Sequence, residues 1–157
     1  KPDIKDTFLD YEFEGINSRI DGLQAAILNV KLQYLEEWTN KRRKIALYYL
    51  THLQTLAKIR LPVVHNKCKP VWHLFVIRVS NRDKLQKFLQ KKGIDTGVHY
   101  PIALPFQPAY SHLNNLPEEF LTSKSQQNQL LSLPIYPELS QIQIDYIVSS
   151  IKEFYLT

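Results

Sequence analysis

The chain has 157 residues, a net charge of +5 and a hydrophobic content of 44%, a composition that folds around a core rather than staying disordered. Its longest apolar stretch, residues 71–79, is interrupted by a histidine and an arginine, which argues against a membrane-spanning segment of about 20 apolar residues. A single cysteine excludes an intrachain disulfide and favours a cytoplasmic location. Because the chain starts at Lys1 and contains no methionine, we expect it to be a processed protein or a piece of a larger one.

The first predicted element is a long helix that begins at Asp21. Asp21 followed by Gln24 is a capping-box pattern, and apolar residues then recur every three or four positions. The apolar positions are Leu23, Ile27, Val30, Tyr34 and Trp38, followed by Ile45, Tyr48, Tyr49, Leu53 and Leu56. The pattern predicts one long helix or two helices joined near Thr39–Asn40.

The remaining pattern alternates strands and helices. It predicts strands over residues 71–79 and 94–99, with a helix between them that is capped by Asn81 and ends at Gly93. A proline-rich loop over 101–108 and a helix over about 118–130 follow. The chain then forms a short extended piece over 133–137 and a last helix capped by Ser140 and Gln143. The predicted fold class is therefore α/β: a two-layer sandwich in which helices pack on a small, largely antiparallel sheet, preceded by the long helix.

The positive charge has two interpretations. It is concentrated at residues 41–44 and 91–92, so it indicates either a solvated lysine-rich surface or a phosphate-bearing partner. Both clusters lie in predicted amphipathic helices, and no nucleic-acid-binding motif accompanies them. We therefore expect neither a nucleic-acid nor a membrane partner.

Few residues have the spacing of a catalytic or metal site. No nucleophile motif, metal-binding motif or glycine-rich nucleotide loop is present, and no two histidines share a helical face. His52 and His65 are predicted to be ordinary exposed residues. His73 lies in the predicted core strand and is predicted to be structural.

Two segments are candidates for ligand binding. His99 and Tyr100 close a predicted strand before the proline-rich loop, so they either contact a ligand or serve to pack and cap the turn. Residues 15–19 precede a helix N-terminus, where Asn17 and Arg19 would suit an anion such as phosphate. The alternative, favoured by the residues alone, is that this segment caps the helix and Arg19 pairs with Asp21.

Five blocks follow one another along the chain. They are residues 15–28 (GINSRIDGLQAAIL), the pairs Arg42–Arg43 and Tyr48–Tyr49, residues 72–78 (WHLFVIR), residues 93–101 (GIDTGVHYP) and residues 131–137 (LSLPIYP). In this order they resemble the G-x-N-x-R…QAA signature and later motifs of the pyridoxal-phosphate-dependent sugar aminotransferases, the DegT/DnrJ/EryC1/StrS family. The resemblance runs from about residue 11 to residue 154.

The resemblance implies the C-terminal portion of a fold-type-I aminotransferase. Residues 1–20 would be a loop remnant of the family's large domain, and residues 21–157 its small domain with the long helix. The family's Schiff-base lysine, the aspartate that pairs with the pyridine nitrogen and the aromatic residue that stacks on the ring lie upstream of G-x-N-x-R. The chain therefore supplies no catalytic residue and no metal site, and we expect the isolated chain to be inactive.

The resemblance also assigns binding residues. Asn17 and Arg19 match residues that reach across the dimer to the phosphate of pyridoxal phosphate or to the substrate of the neighbouring subunit. His99 and Tyr100 match the loop that lines the nucleotide-sugar pocket. The implied protein is a cytoplasmic homodimer in deoxysugar biosynthesis that moves an amino group, from glutamate, to a nucleotide-linked keto-sugar. Residues 99–105 are similar to enzymes of dTDP-3-keto-6-deoxyhexoses. The alternatives are a non-catalytic remnant or binding module of the same fold, and a pyridoxamine-phosphate-dependent sugar dehydratase.

Overall fold

The computed structural model describes residues 11–156, and the first ten residues of the predicted loop remnant lie outside that range. The elements, in chain order, are α1 (Gly22–Leu32), α2 (Leu35–Leu53), β1 (Ile59–Arg60), β2 (Phe75–Val79), α3 (Arg82–Lys91), α4 (Leu121–Gln126), β3 (Leu130–Leu133) and α5 (Gln141–Leu156), with 3₁₀ turns at Leu104–Phe106, Pro108–Leu113 and Pro117–Phe120 before α4.

The sheet is antiparallel, with β2 between β1 and β3. Along β2 the alternate residues Phe75, Ile77 and Val79 are buried, as the two-residue period of a strand requires. Phe75 pairs with Leu133 and Ile77 with Leu131, so one face of the sheet is apolar. Full burial of such a side chain contributes about 1.5–3 kcal/mol.

Helices α2, α3 and α5 cover this face of the sheet and complete the core. Tyr49 and Leu53 of α2, Leu85 and Leu89 of α3, and Ile147 and Ile151 of α5 belong to the same buried cluster as Phe75 and Ile77. The α/β fold class with an antiparallel sheet and helices packed on it is confirmed.

Two predicted helix ends are confirmed. Helix α3 ends in a Schellman motif, in which Ile94 N–H donates to the Leu89 carbonyl at 2.9 Å and Gly93 N–H to that of Gln90 at 3.0 Å. Gly93 has φ +74°, a conformation that glycine adopts without steric cost. At the start of α5, Ser140 N–H donates to Gln143 Oε1 at 2.9 Å, which is half of the predicted capping box.

The long N-terminal helix divides at a different place from the predicted one. The interruption lies at Gln33–Tyr34, where Tyr34 N–H donates to the Lys31 carbonyl at 3.0 Å, a 3₁₀-type bond. Thr39 and Asn40 lie within α2. No residue of α1 is buried, so this helix projects an uncovered apolar surface.

The predicted strand over 94–99 is wrong, because only Gly97 forms a bridge, to Ser132. The next pair of this ladder in one direction would need a donor at Pro134, which has no N–H. The predicted helix over 118–130 is also shorter, since β3 starts at Leu130 and Leu131 is fully buried in the sheet. Strand β1 has two residues and is too short to show a period.

The prediction that His73 lies in a core strand is wrong as well. β2 begins at Phe75, and the His73 side chain is exposed. The chain turns at Trp72, which has φ +52°, a costly conformation for a bulky residue. Trp72 compensates by packing its ring on Phe75, with the ring centroids 5.3 Å apart. His73 is thereby left on the surface beside the candidate site.

Candidate functional site

Asn17 and Arg19 lie in an extended segment that runs into α1 without forming a helix or strand. Both side chains are exposed, and neither is joined by a hydrogen bond or ion pair to another residue within the range 11–156. The alternative in which Arg19 pairs with Asp21 is therefore not what the structure has. The amide and the guanidinium offer their donors to a group outside this chain's core.

The N-terminus of α1 is occupied by this chain's own carboxylate. Asp21 Oδ1 accepts the Gln24 N–H at 2.8 Å, so the predicted N-cap is confirmed. A negative charge already lies where the helix dipole would attract an anion. An anion at this segment would consequently depend on the side chains of Asn17 and Arg19 rather than on the helix terminus.

His99 is held against the edge of the sheet by two neighbours, Gly97 and Ser132. Gly97 exchanges two backbone hydrogen bonds with Ser132, of 2.8 and 3.1 Å, and this pairing brings the His99 ring over Gly97. A Cβ atom at Gly97 would lie 2.5 Å from His99 Cε1, a distance that a real Cβ does not tolerate. Ser132 Oγ lies 2.9 Å from His99 Nδ1, so the serine fixes the orientation of the imidazole.

His99 is half-buried, and this arrangement engages one of its two ring nitrogens. Among the described residues, Nδ1 has Ser132 as its partner and Nε2 has none. Ser132 itself is only 4% exposed because His99 covers the face of β3 opposite to Leu131 and Leu133. Tyr100 follows with an exposed side chain, its ring edge-to-face with that of His99 at 5.6 Å between centroids.

A small cleft of about 190 Å³ opens next to His99. Its polar lining consists of His73, Asp95, Thr96, His99 and Ser132. The Thr96 hydroxyl is buried and has no hydrogen-bond partner within the described part of the chain, which is costly unless a ligand or water satisfies it. The cleft therefore offers the His99 imidazole to a polar ligand.

The four predicted site residues do not form one cluster. No hydrogen bond of the described residues joins Asn17 or Arg19 to His99 or Tyr100. The two segments are nevertheless connected, since the backbone N–H of Ala109, in the loop after Tyr100, donates to the Tyr11 carbonyl at 2.8 Å.

Sequence reasoning missed Ser132 and His73 as site residues. Ser132 is a polar residue between Leu131 and Leu133 in a strand, and that interruption was a usable signal. His73 was missed because the apolar pattern of residues 71–79 concealed the turn at Trp72.

The basic cluster of α2 has partners within this chain. Arg42 Nη1 donates to the Ile135 carbonyl at 2.7 Å, Arg43 Nε donates to that of Pro70 at 3.0 Å, and Lys41 pairs with Glu37 at 2.7 Å. Much of this charge therefore supports the fold. No helix within residues 11–156 is long and apolar enough to cross a membrane. The same residues contain no group of three or more His, Cys, Asp or Glu side chains that could hold a metal ion.

The chain belongs to the DegT/DnrJ/EryC1/StrS aminotransferase family, whose sequence profile matches residues 3–152. The resemblance seen in the five sequence blocks is thereby confirmed. The match includes both the segment with Asn17 and Arg19 and the loop with His99 and Tyr100.

Two relatives and two solved structures illustrate the similarity. The chain is 42% identical over 142 residues to dTDP-3-amino-3,6-dideoxy-alpha-D-galactopyranose transaminase of Aneurinibacillus thermoaerophilus, covering 90% of this chain and 38% of that protein. It is 41% identical over 142 residues to the erythromycin biosynthesis sensory transduction protein EryC1 of Saccharopolyspora erythraea, covering 90% and 39%. The fold matches S. venezuelae DesV in complex with a ketimine intermediate, at 39% identity and TM-score 0.83, over 93% of this chain and 39% of that one. It also matches NtdA of Bacillus subtilis with bound PMP, at 30% identity and TM-score 0.75, over 91% and 34%.

The chain thus spans roughly two fifths of the length of these proteins.

Proposed function

We propose that the protein carrying this chain is a pyridoxal-phosphate-dependent aminotransferase that transfers an amino group from glutamate to a nucleotide-linked keto-sugar. The observation that supports this most is the family match together with the 42% identity to a transaminase of a dTDP-linked amino sugar. A dTDP-3-keto-6-deoxyhexose is the proposed substrate. In the reaction the amino group replaces the keto oxygen of the sugar, while the amino-bearing carbon of glutamate is oxidised to a ketone.

The exposed donors of this chain suit the phosphate group of the cofactor. Asn17 and Arg19 are exposed and have no partner among the described residues, so they suit a phosphate that is held mainly by other residues. Pyridoxal phosphate, when bound, accepts the amino group and stabilises negative charge at the reacting carbon. The role of Arg19 would be a charge-assisted hydrogen bond to the phosphate, and that of Asn17 a neutral one.

His99 and Tyr100 are proposed to contact the nucleotide-sugar. With Nδ1 engaged by Ser132 at 2.9 Å, the imidazole has Nε2 to offer to a sugar hydroxyl or a diphosphate oxygen. The exposed Tyr100 ring contributes a flat surface and a hydroxyl. Neither residue acts on the transferred amino group in this proposal; both orient the substrate.

Asn17 and Arg19 are proposed to serve the active site of a neighbouring subunit in a homodimer. Helix α1 has Leu23, Ile27 and Val30 exposed to 74%, 50% and 61%, an apolar surface of the kind that marks an interface. In the full-length protein, Leu23→Lys is expected to weaken the dimer measured by light scattering. The control Leu47→Lys, on the exposed side of α2 at 64%, should leave it intact. A Leu23→Lys variant that stays dimeric at low concentration would contradict this assignment.

The reaction itself is tested on the full-length protein with glutamate and a dTDP-linked keto-sugar. We expect amino-sugar and 2-oxoglutarate to form in equal amounts, measured by mass spectrometry. The 157-residue chain alone is expected to give neither, because it has no counterpart of the family's Schiff-base lysine. Loss of a sugar hydroxyl without consumption of glutamate would instead indicate the dehydratase alternative, and no reaction with any keto-sugar the non-catalytic one.

A further inference from the structure

Gln107 is one of three polar side chains that are buried within residues 11–156, with 3% of its surface exposed. It lies in an otherwise irregular loop, between the 3₁₀ turns Leu104–Phe106 and Pro108–Leu113. A buried amide is costly unless its donors and acceptor are used. The burial of a glutamine in a surface loop therefore needs an explanation.

The amide of Gln107 connects two segments that are far apart in sequence. Its Oε1 accepts the Tyr11 N–H at 3.2 Å, and its Nε2 donates to the Ile102 carbonyl at 3.3 Å. Because one partner is a donor and the other an acceptor, only this orientation of the amide satisfies both. Gln107 thus holds the segment before Asn17 to the loop after Tyr100.

Two further contacts strengthen this connection. Ala109 N–H donates to the Tyr11 carbonyl at 2.8 Å, so both backbone groups of Tyr11 are paired with the loop. The Tyr110 hydroxyl hydrogen-bonds the Glu14 carboxylate, which raises the pKa of Tyr110. We call these three contacts, made by Gln107, Ala109 and Tyr110, the latch.

The latch restrains the segment that carries Asn17 and Arg19. Glu14 is three residues before Asn17, a reach of about 10 Å for an extended chain. On the other side, Asp21 caps α1 two residues after Arg19. Residues 15–20 are therefore fixed at both ends, and one of the two ends is fixed by the loop that begins at His99–Tyr100.

We propose that Gln107 is a positioning residue, which sets the place of Asn17 and Arg19 relative to His99 and Tyr100. This inference rests on the proposed function, in which the first pair contacts the cofactor phosphate and the second the nucleotide-sugar. In this proposal Gln107 contacts neither the cofactor nor the nucleotide-sugar. Its effect on both passes through Tyr11 and the loop.

The test uses the full-length protein with Gln107→Leu, which removes both amide hydrogen bonds. Gln127→Leu is the matched control, because Gln127 Oε1 accepts the Ala103 N–H at 2.8 Å in the same loop without touching Tyr11. Gln107→Leu should raise the dissociation constant of pyridoxal phosphate about fivefold to tenfold, the value of one hydrogen bond. Gln127→Leu should lower the Tm and leave that constant unchanged.

Two readouts separate positioning from a purely structural role. In the background of the double variant Asn17→Ala/Arg19→Ala, Gln107→Leu should have little further effect on cofactor affinity, because it acts through these two residues. Amide hydrogen exchange over residues 15–20 should accelerate in Gln107→Leu and not in Gln127→Leu. If Gln107→Leu fails to fold, Tyr110→Phe takes its place in the experiment. It removes only the Glu14 contact and should accelerate exchange over residues 15–20 to a smaller extent.

The outcomes distinguish this inference from the proposed function. Faster exchange with unchanged cofactor affinity in an active enzyme would overturn the positioning role. If the wild-type protein does not transaminate any keto-sugar, the proposed function is wrong. The exchange experiment alone then decides whether Gln107 positions residues 15–20. Unchanged exchange over residues 15–20 would then overturn the inference, and accelerated exchange confined to the latch variants would support it.

Discussion

Gly97 is the position at which the smallest change should disturb the candidate substrate site. A Cβ at residue 97 would lie 2.5 Å from Cε1 and 3.1 Å from Nδ1 of His99. Since an ordinary contact is about 3.5 Å or more, the ring has to move by roughly 1 Å. That movement breaks the 2.9 Å contact between His99 Nδ1 and Ser132 Oγ.

The energetic cost of Gly97→Ala follows from this geometry. Losing one hydrogen bond costs about 0.5–1.5 kcal/mol of stability, and the partly exposed ring can rotate away. We therefore expect a folded protein with a modestly lower Tm. Substrate binding should be affected more than stability. The KM for the nucleotide-sugar should rise about tenfold, and the KM for glutamate should change little.

Steady-state kinetics of the full-length enzyme with both substrates measures this difference. Leu47→Ala is the control, because Leu47 is 64% exposed on α2 and belongs neither to the two candidate segments nor to the proposed α1 interface. That variant should keep both KM values. If Gly97→Ala leaves the KM for the nucleotide-sugar unchanged, the reasoning that places His99 in the substrate site is refuted.

Two further predictions concern the fold. Tyr49→Phe should lower the free energy of unfolding, measured by urea titration, by about 1–3 kcal/mol. The reason is that the Tyr49 hydroxyl donates to the Pro134 carbonyl at 2.8 Å from a fully buried ring. An unchanged midpoint would show that water replaces this donor. The Tyr48 hydroxyl donates to Asp145 and lowers the pKa of that carboxyl, so its stabilisation is present above the ordinary carboxyl pKa of about 3.9 and is lost as the pH falls below it. The Tm difference between wild type and Asp145→Asn should therefore shrink on acidification, and a difference that is constant with pH would contradict the assignment.

The parts of the fold that sequence predicted are those with a strong local signal. Gly93 after an amphipathic stretch and the Ser140–Gln143 pair before another fixed the helix ends because caps act over three or four residues. The prediction for residues 71–79 was wrong at its start, because an apolar run predicts a strand but does not show that Trp72 turns the chain. The strand over 94–99 failed for a non-local reason, since its pairing depends on Pro134, far along the chain.

In the candidate site, too, local motifs could be predicted from the sequence and contacts between distant residues could not. Asn17, Arg19, His99 and Tyr100 could be selected from motifs, and the first two are indeed exposed donors without a described partner. The polar interruption at Ser132 could mark that residue, but its contact with His99 could not be predicted, and neither could the role of Gln107, because each depends on a hydrogen bond between residues 33 or 96 positions apart. No local pattern encodes such a contact, and only the fold brings the two partners together.

The most direct test of the account is the affinity of the full-length protein for pyridoxal phosphate after Arg19→Ala. Arg19 is proposed to make a charge-assisted contact to the cofactor phosphate, and this contact should be worth about tenfold or more in the dissociation constant. Arg19→Lys, which keeps the charge and loses the planar fork, should lie between wild type and Arg19→Ala. An equal dissociation constant in all three proteins would contradict the central claim that this chain contributes to the cofactor site.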